Sequence, residues 1–278
     1  MRIKIITDSS CDLPKHLIEQ YDIGVAPLHI YIDGKDYTDG KDITHEEFYE
    51  KCRAAESLPK TSQPAPGDVL HIIQESLKEY THVLSVNLSS ALSGTYQTVN
   101  MLKESIGDAL TVFDSKNGSL GVGMQALKAC ELVKEELSKS EIIRRLTEYR
   151  ESLDTLVYLE TLENAVKGGR VSKFSYVAAS MLNVKAIVYI DKEEGTVKVR
   201  EKIRGEKKAL RYIIDAIKNK DIDFSDRVIG ISHAGCIERA NEFIEMLKAE
   251  VKPKEILLSS MGPVIGTYAA QGAIYVCF

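Results

Sequence analysis

Apolar and polar positions follow two regimes along this chain. Up to about residue 155, short apolar runs alternate with stretches of helical spacing: "IKIIT" before "PKHLIEQYD", "HVLSVN" before "TYQTVNMLKESI", and "ALTVF" before helices near 120–137 and 140–152. Strands alternating with helices this regularly predict crossover units on a mostly parallel sheet. "VAPLHIYIDGKDYTD" predicts a hairpin turning at Asp33-Gly34. "THEEFYEKC" predicts a helix opened by a Thr44–Glu47 capping box, and "VLHIIQESLKEY" another, entered from the proline-rich "LPKTSQPAPGD". Beyond about residue 155, "TLVYL", "AIVYI", "TVKVREKI", "RVIGIS", "EILLSS" and "GAIYVCF" read as strands, with helices only around 175–183, 206–219 and 237–249. The "DKEEGT" turn favours an antiparallel pair. The expected protein is α/β with two lobes: an N-terminal mostly parallel α/β sandwich, residues 1–155, and a C-terminal α+β lobe with a mixed sheet, residues 156–278. No internal repeat or low-complexity linker marks the boundary.

Length agrees with this division, because 278 residues are long for one core and comfortable for two. Charge removes one class of partner: 36 basic against 41 acidic residues leave no electrostatic footprint for nucleic acid. No stretch reaches the roughly 18 to 20 apolar residues of a membrane span, and the start, "MRIKIITDSSCDLP", has no long apolar h-region. A cytoplasmic location without stable membrane insertion is expected. Cys11, Cys52, Cys130, Cys236 and Cys277 are scattered and odd in number, which predicts reduced thiols rather than a disulfide frame or a zinc site.

Three predicted strands of the first lobe end in hydroxyl or carboxylate residues: Thr7 to Ser10, Asn87 to Tyr96, and Asp114-Ser115. In an open parallel sheet the carboxyl ends share one edge, so these groups are expected to converge on a crevice. Within "NLSSALSGTYQT", Ser93-Gly94-Thr95 precedes a helix. Ser93 or Thr95 can serve as its N-cap, and the same free amides favour an anion, with Gly94 permitting close approach. The two roles are compatible. A serine nucleophile needs an activating base, but G-x-S-x-G is absent, and of six histidines only His233, in "GISHAG", sits at a strand end like a site residue. "GVGMQA" (121–126) lies too far from its strand for a dinucleotide turn and reads as tight helix packing; no P-loop, H-E-x-x-H or EF-hand pattern occurs. "KTSQPAP" (60–66) reads as a proline-stiffened loop carrying Thr61, Ser62 and Gln63, and "MGPVIGTYAAQGA" (261–273) brings glycines and Thr267 beside a strand end.

"TDSSCDLP", "PKTSQPAP", "SSALSGTYQT", "FDSKNGSLGVG", "LENAVKGGRVS", "SMLNVKAIV" and "GPVIGTYAAQGA" stand in the order typical of the DegV family, the bacterial fatty-acid-binding proteins, which the whole chain resembles. The resemblance implies a two-lobe protein that buries a long-chain fatty acid in a tunnel and holds its carboxylate between the lobes. It also implies a non-catalytic role: the lipid is presented to a separate ATP-binding fatty acid kinase subunit, whose acyl phosphate product feeds phospholipid synthesis. No cofactor and no metal are implied beyond the bound lipid. Carried across by motif, Thr61, Ser62, Ser93, Gly94, Thr95, Thr267 and Tyr268 would bind the carboxylate, with Asp8, Ser9, Arg170 and His233 around them and Arg204 of "KIRGEKKAL" touching the kinase. Tunnel-lining candidates are the apolar faces of 174–190 and "PVIG". A chain of about fourteen methylenes gains roughly 11 kcal/mol on burial, before binding costs. The alternative from another class is a hydrolase or phosphotransferase acting at a crevice of Ser93, Asp8 and His233.

This chain departs from the family at one place. The usual pattern is G-T-H followed by G-P-G, with the histidine helping to bind the carboxylate; here Gly266-Thr267-Tyr268 is followed by Ala269, Ala270, Gln271 and Gly272. Tyrosine donates one neutral hydrogen bond and does not become a cation near pH 7. Either Tyr268 donates to the carboxylate, or Arg170 or His233 supplies the charge, or the ligand differs.

Overall fold

The computed structural model describes residues 2–172 and 183–278. In the first half the strands are β1 (Ile3–Asp8), β2 (Gly24–Ala26), β3 (His29–Ile32), β4 (Lys35–Thr38), β5 (Lys60–Ser62), β6 (His82–Asn87) and β7 (Leu110–Asp114). A parallel sheet runs in the order β2-β1-β6-β7, with Thr7 beside Val86 and Asn87 beside Asp114. Its strands are nearly continuous apolar runs because both faces are covered. Ile6, Val83 and Val112 meet Val69 and Ile73 of the helix Pro66–Leu77 and Val99 of the helix Thr95–Met101. Ile5, Leu84 and Phe113 face the other way, into the core built by the helix Leu120–Lys134.

The Asp33-Gly34 turn forms as expected, with positive φ at both residues (42° and 88°), and the Thr44–Glu47 capping box is present in both directions. Two readings of this half change. The run opening "VAPLH" contributes β2 to the parallel sheet, and only β3 and β4 make the hairpin. Lys60–Ser62, expected as loop, is a third antiparallel strand beside β3, with Ile30 opposite Thr61. Pro59 and Pro64 bound it, which keeps it to three residues while holding the backbone extended.

The second half supplies β8 (Thr155–Leu159), β9 (Val184–Ile190), β10 (Val197–Arg204), β11 (Val228–His233), β12 (Glu255–Ser260) and β13 (Ile274–Cys277). They form a mixed sheet in the order β10-β9-β8-β13-β11-β12, in which only β11 and β12 run parallel. The "DKEEGT" turn does join an antiparallel pair. The helices Glu206–Lys218 and Ile237–Glu250 cover one face through Ile213, Ile214 and Phe243, while Val157, Leu159 and Val188 on the other face belong to the core shared with the first half. "MGPVIGTYAAQGA", expected to bring glycines and Thr267 beside a strand end, contains a seven-residue helix, Pro263–Ala269, with Pro263 in its first turn and Ala270 at positive φ (62°) just past its end. The helix expected around 175–183 lies outside the described residues except for Asn183. No helix among the described residues is long and apolar enough to cross a membrane.

Candidate functional site

The parallel register of β1, β6 and β7 brings Asp8, Asn87 and Asp114 to one edge, as the strand pattern predicted. The Asp8 and Asp114 carboxylates are engaged in bracing the loops there. Asp8 accepts from the Leu88 amide at 2.8 Å and from the Ser10 hydroxyl at 2.5 Å; burial raises its pKa above the ordinary carboxylate range. Asp114 accepts from the Ser90 hydroxyl and amide and from the Lys116 amide. The Ser9 hydroxyl accepts from the Leu28 amide at 3.0 Å. Neither Asp8 nor Ser9 borders the cavity described next.

That cavity, about 780 Å³ when the solvent at its open mouth is counted, lies between this edge and the mixed sheet. Its walls are almost wholly apolar, with Leu28, Leu88, Val157, Leu159, Val188 and Ile265 among them. Val264 and Ile265 of "PVIG" and Val188 and Ile190 of the 174–190 run take part, while residues 174–182 of that run fall outside the described residues.

Polar groups gather at one end. Thr61 Oγ1 and Tyr268 OH meet at 2.7 Å, the Arg170 guanidinium stacks 4.5 Å from the Tyr268 ring centre, and Ser93 completes the lining. Arg170 is steadied by the backbone, donating through Nε to the Leu92 carbonyl (3.2 Å) and through Nη1 to that of Gly168 (2.7 Å). It forms no ion pair with any described residue. Gly168 also makes room for the ring: a Cβ there would lie 2.5 Å from Tyr268 Cδ1.

The remaining candidates take other places. Ser62 follows Thr61 on a strand and is exposed on the opposite side. The Ser93 hydroxyl accepts from the Thr95 amide at 3.3 Å and meets the Thr95 hydroxyl at 2.9 Å, so the pair does tie down the start of its helix, although Gly94 holds the cap position. Thr95 is fully buried, and a Cβ on Gly94 would overlap the Gln63 carboxamide. The Thr267 hydroxyl donates to the Pro263 carbonyl at 2.8 Å inside its helix. Arg204 is exposed at the end of β10. His233 lines a separate cleft with His45, Glu46 and Glu238, where its Nδ1 accepts from the Cys236 amide; burial first, then His45, hold its pKa down. Ser93, Asp8 and His233 therefore do not share one site. "GVGMQA" does pack tightly, since a Cβ on Gly123 would come within 2.7 Å of the Cys11 carbonyl.

Sequence reading passed over Asp12. It is left-handed (φ 51°) and buried, and it joins the two halves: Oδ2 accepts from the Ser119 hydroxyl, which touches that of Ser232 at 2.7 Å, and Oδ1 accepts from the Gly262 amide at 2.8 Å, at the start of the helix carrying Tyr268. Burial pushes its carboxyl up to about 8. Only tertiary structure distinguishes it from Asp8, the other acid of "TDSSCDLP". Among the described residues no group of three or more His, Cys, Asp or Glu is placed to hold a metal ion. The arrangement suits an amphipathic ligand whose long apolar part fills the cavity and whose polar or anionic end meets Thr61, Ser93, Tyr268 and Arg170.

The DegV family model, described as an uncharacterised protein, matches residues 2–278. A DegV domain-containing protein of Caldanaerobacter subterraneus subsp. tengcongensis is 38% identical over 278 residues, covering 100% of this chain and 98% of its own. A DegV family protein from Thermus thermophilus, described for its fatty acid binding, has a similar structure: TM-score 0.92, 31% identity, 100% of this chain and 99% of that one. DegV of Bacillus subtilis, a fatty acid binding protein, gives 0.88 at 32% identity over 100% and 98%.

Proposed function

We propose that this chain, which belongs to the DegV family, binds a long-chain fatty acid and presents its carboxylate to a separate ATP-binding kinase subunit. The observation that carries the reading is the apolar cavity closed at one end by a guanidinium, a phenol and two hydroxyls. A chain of methylenes supplies most of the binding free energy, roughly 0.8 kcal/mol each, while the polar end fixes which terminus stays there. Arg170 supplies the charge; Thr61, Ser93 and Tyr268 supply directional hydrogen bonds. All four are only part-buried, so the head group stays within reach of a partner.

The site then lies between lobes of residues 1–155 and 156–278, with Arg204 on the face offered to the kinase. The protein works in the cytoplasm, with no metal or cofactor besides its lipid. What supports presentation rather than catalysis is the separation of Ser93, Asp8 and His233, together with the absence of a P-loop from the sequence. Native mass spectrometry followed by organic extraction tests the first half of the proposal: one fatty acid per chain is expected, and an empty protein that also refuses added fatty acid overturns it. Acyl phosphate formed only with ATP and an added kinase subunit supports the second half; ATP-independent turnover by the isolated chain refutes it.

A further inference from the structure

We infer that the turn between β9 and β10 is the stop that sets how long an acyl chain the cavity accepts, with Ile190 and Val197 meeting the chain's terminal methyl. This rests on the fatty-acid reading above.

The strand register orders the wall. Leu159 stands opposite Ala186, Val157 opposite Val188 and Tyr275, and Ile190, two residues farther along β9, opposite Val197. Leu159, Val157, Val188, Ile190 and Val197 all border the cavity. At about 3.3 Å per strand residue, each successive row lies ~6–7 Å farther along. Ile190 and Val197 form the last row before the chain reverses, and no row follows them.

The turn beyond that row is pinned. Within it, Asp191 accepts from the Glu193 and Glu194 amides through Oδ1, and its own amide donates to the Thr196 carbonyl at 2.9 Å. Across the cavity it is held by the opposite half: the buried Ser89 hydroxyl donates to the Gly195 carbonyl at 2.8 Å, and Lys116 Nζ donates to the Glu193 carbonyl at 2.6 Å. Gly195 has φ +70°, and a Cβ there would overlap Ser89 Oγ and lie 3.3 Å from Lys116 Cα. The two backbones thus meet directly. Ser89 and Lys116 belong to the same loops that bring Leu88 and Gly118 to the cavity wall. β10 is the edge strand of its sheet, and these two clips, together with Lys192 Nζ donating to the Glu151 carbonyl at 2.9 Å and pairing with Asp154 at 3.0 Å, hold the turn across the cavity's end.

The test measures Kd on delipidated protein for saturated fatty acids lengthening by two carbons at a time. Ile190→Phe or Val197→Phe should move the tightest-bound length down by one step, and Ile190→Ala up by one. Chains beyond the new optimum should lose about 15-fold per step, the conversion of roughly 0.8 kcal/mol per methylene. Ser89→Ala, which releases the clip without touching the wall, should flatten the length profile. Tyr268→Phe, at the other end, should weaken every length by the same factor and leave the optimum in place. An unchanged optimum in both Ile190→Ala and Val197→Phe, with binding retained, overturns the inference while leaving the fatty-acid reading intact. A wild-type chain that binds no length overturns both.

Discussion

Tyr268→Phe removes one oxygen and leaves everything else at the polar end in place. The ring that Arg170 stacks on at 4.5 Å survives, as does the pocket that Gly168 opens for it. Only the 2.7 Å contact with Thr61 disappears. Thr61 is part-exposed and can turn to water, so the unliganded protein should melt within about a degree of wild type. Binding should respond differently. A hydrogen bond to a charged acceptor is worth about 1.5–3 kcal/mol, which is ~10- to 150-fold in Kd. The fatty alcohol of equal length presents a neutral acceptor and should lose only ~2- to 12-fold, at about 0.5–1.5 kcal/mol. Titration calorimetry on delipidated protein separates the two ligands. A fatty-acid Kd unchanged within about twofold, or equal losses for acid and alcohol, refutes the claim that the phenol donates to a carboxylate.

Arg170→Met keeps much of the aliphatic stem but removes the charge and both backbone bonds; the fatty acid should lose at least ~10-fold in affinity and the alcohol much less, by calorimetry. Gly168→Ala drives a methyl into the Tyr268 ring and should reproduce the Tyr268→Phe loss with a lower melting temperature as well; intact binding would show that the ring's seat does not matter. Asp12, pushed up to about 8, holds its proton in the folded state where the unfolded chain has lost it. Its contribution to stability is therefore full below the ordinary carboxylate value near 3.8 and lost as pH rises through about 8. Urea unfolding at about pH 5 and about pH 9 should show Asp12→Asn, which cannot ionise, declining less with pH than wild type, and parallel profiles would contradict this.

Much of the fold was legible because its signals are local. The β1, β6 and β7 runs are apolar enough to be buried on both faces, the Asp33-Gly34 turn carries its own left-handed preference, and Thr44 and Glu47 cap each other within one helical turn. β5 was not legible, because a three-residue strand between prolines exists only through pairing with β3. The helix Pro263–Ala269 was hidden by Gly266 within it and Gly262 at its cap. Gly266 is there for packing, since a Cβ would lie 2.6 Å from Tyr49 OH, and this tertiary demand overrides helix propensity. The same division runs through the site. Thr61, Ser93 and Tyr268, which border the cavity, stand in ordered sequence patterns, whereas the bracing duties of Asp8 and Asp114 and the Asp12 linkage depend on partners far away in the chain.

The substitution at residue 268 is then less of a loss than the motif alone implies. A histidine there would offer a donor and, below its pKa, a charge, so its grip on a carboxylate would weaken as pH rises through that value. In the proposed site Tyr268 would divide those duties. Its hydroxyl keeps a donor beside Thr61, and its ring gives the Arg170 guanidinium an aromatic face to lie on. A guanidinium stays charged across the whole physiological range. Affinity for a carboxylate should accordingly stay flat from about pH 6 to about pH 8 in the wild-type chain, while Tyr268→His should bind more tightly on the acid side of that window than on the alkaline side. A wild-type affinity that falls by tenfold or more across the same window would mean that the charge facing the ligand titrates there, and that Arg170 does not supply it.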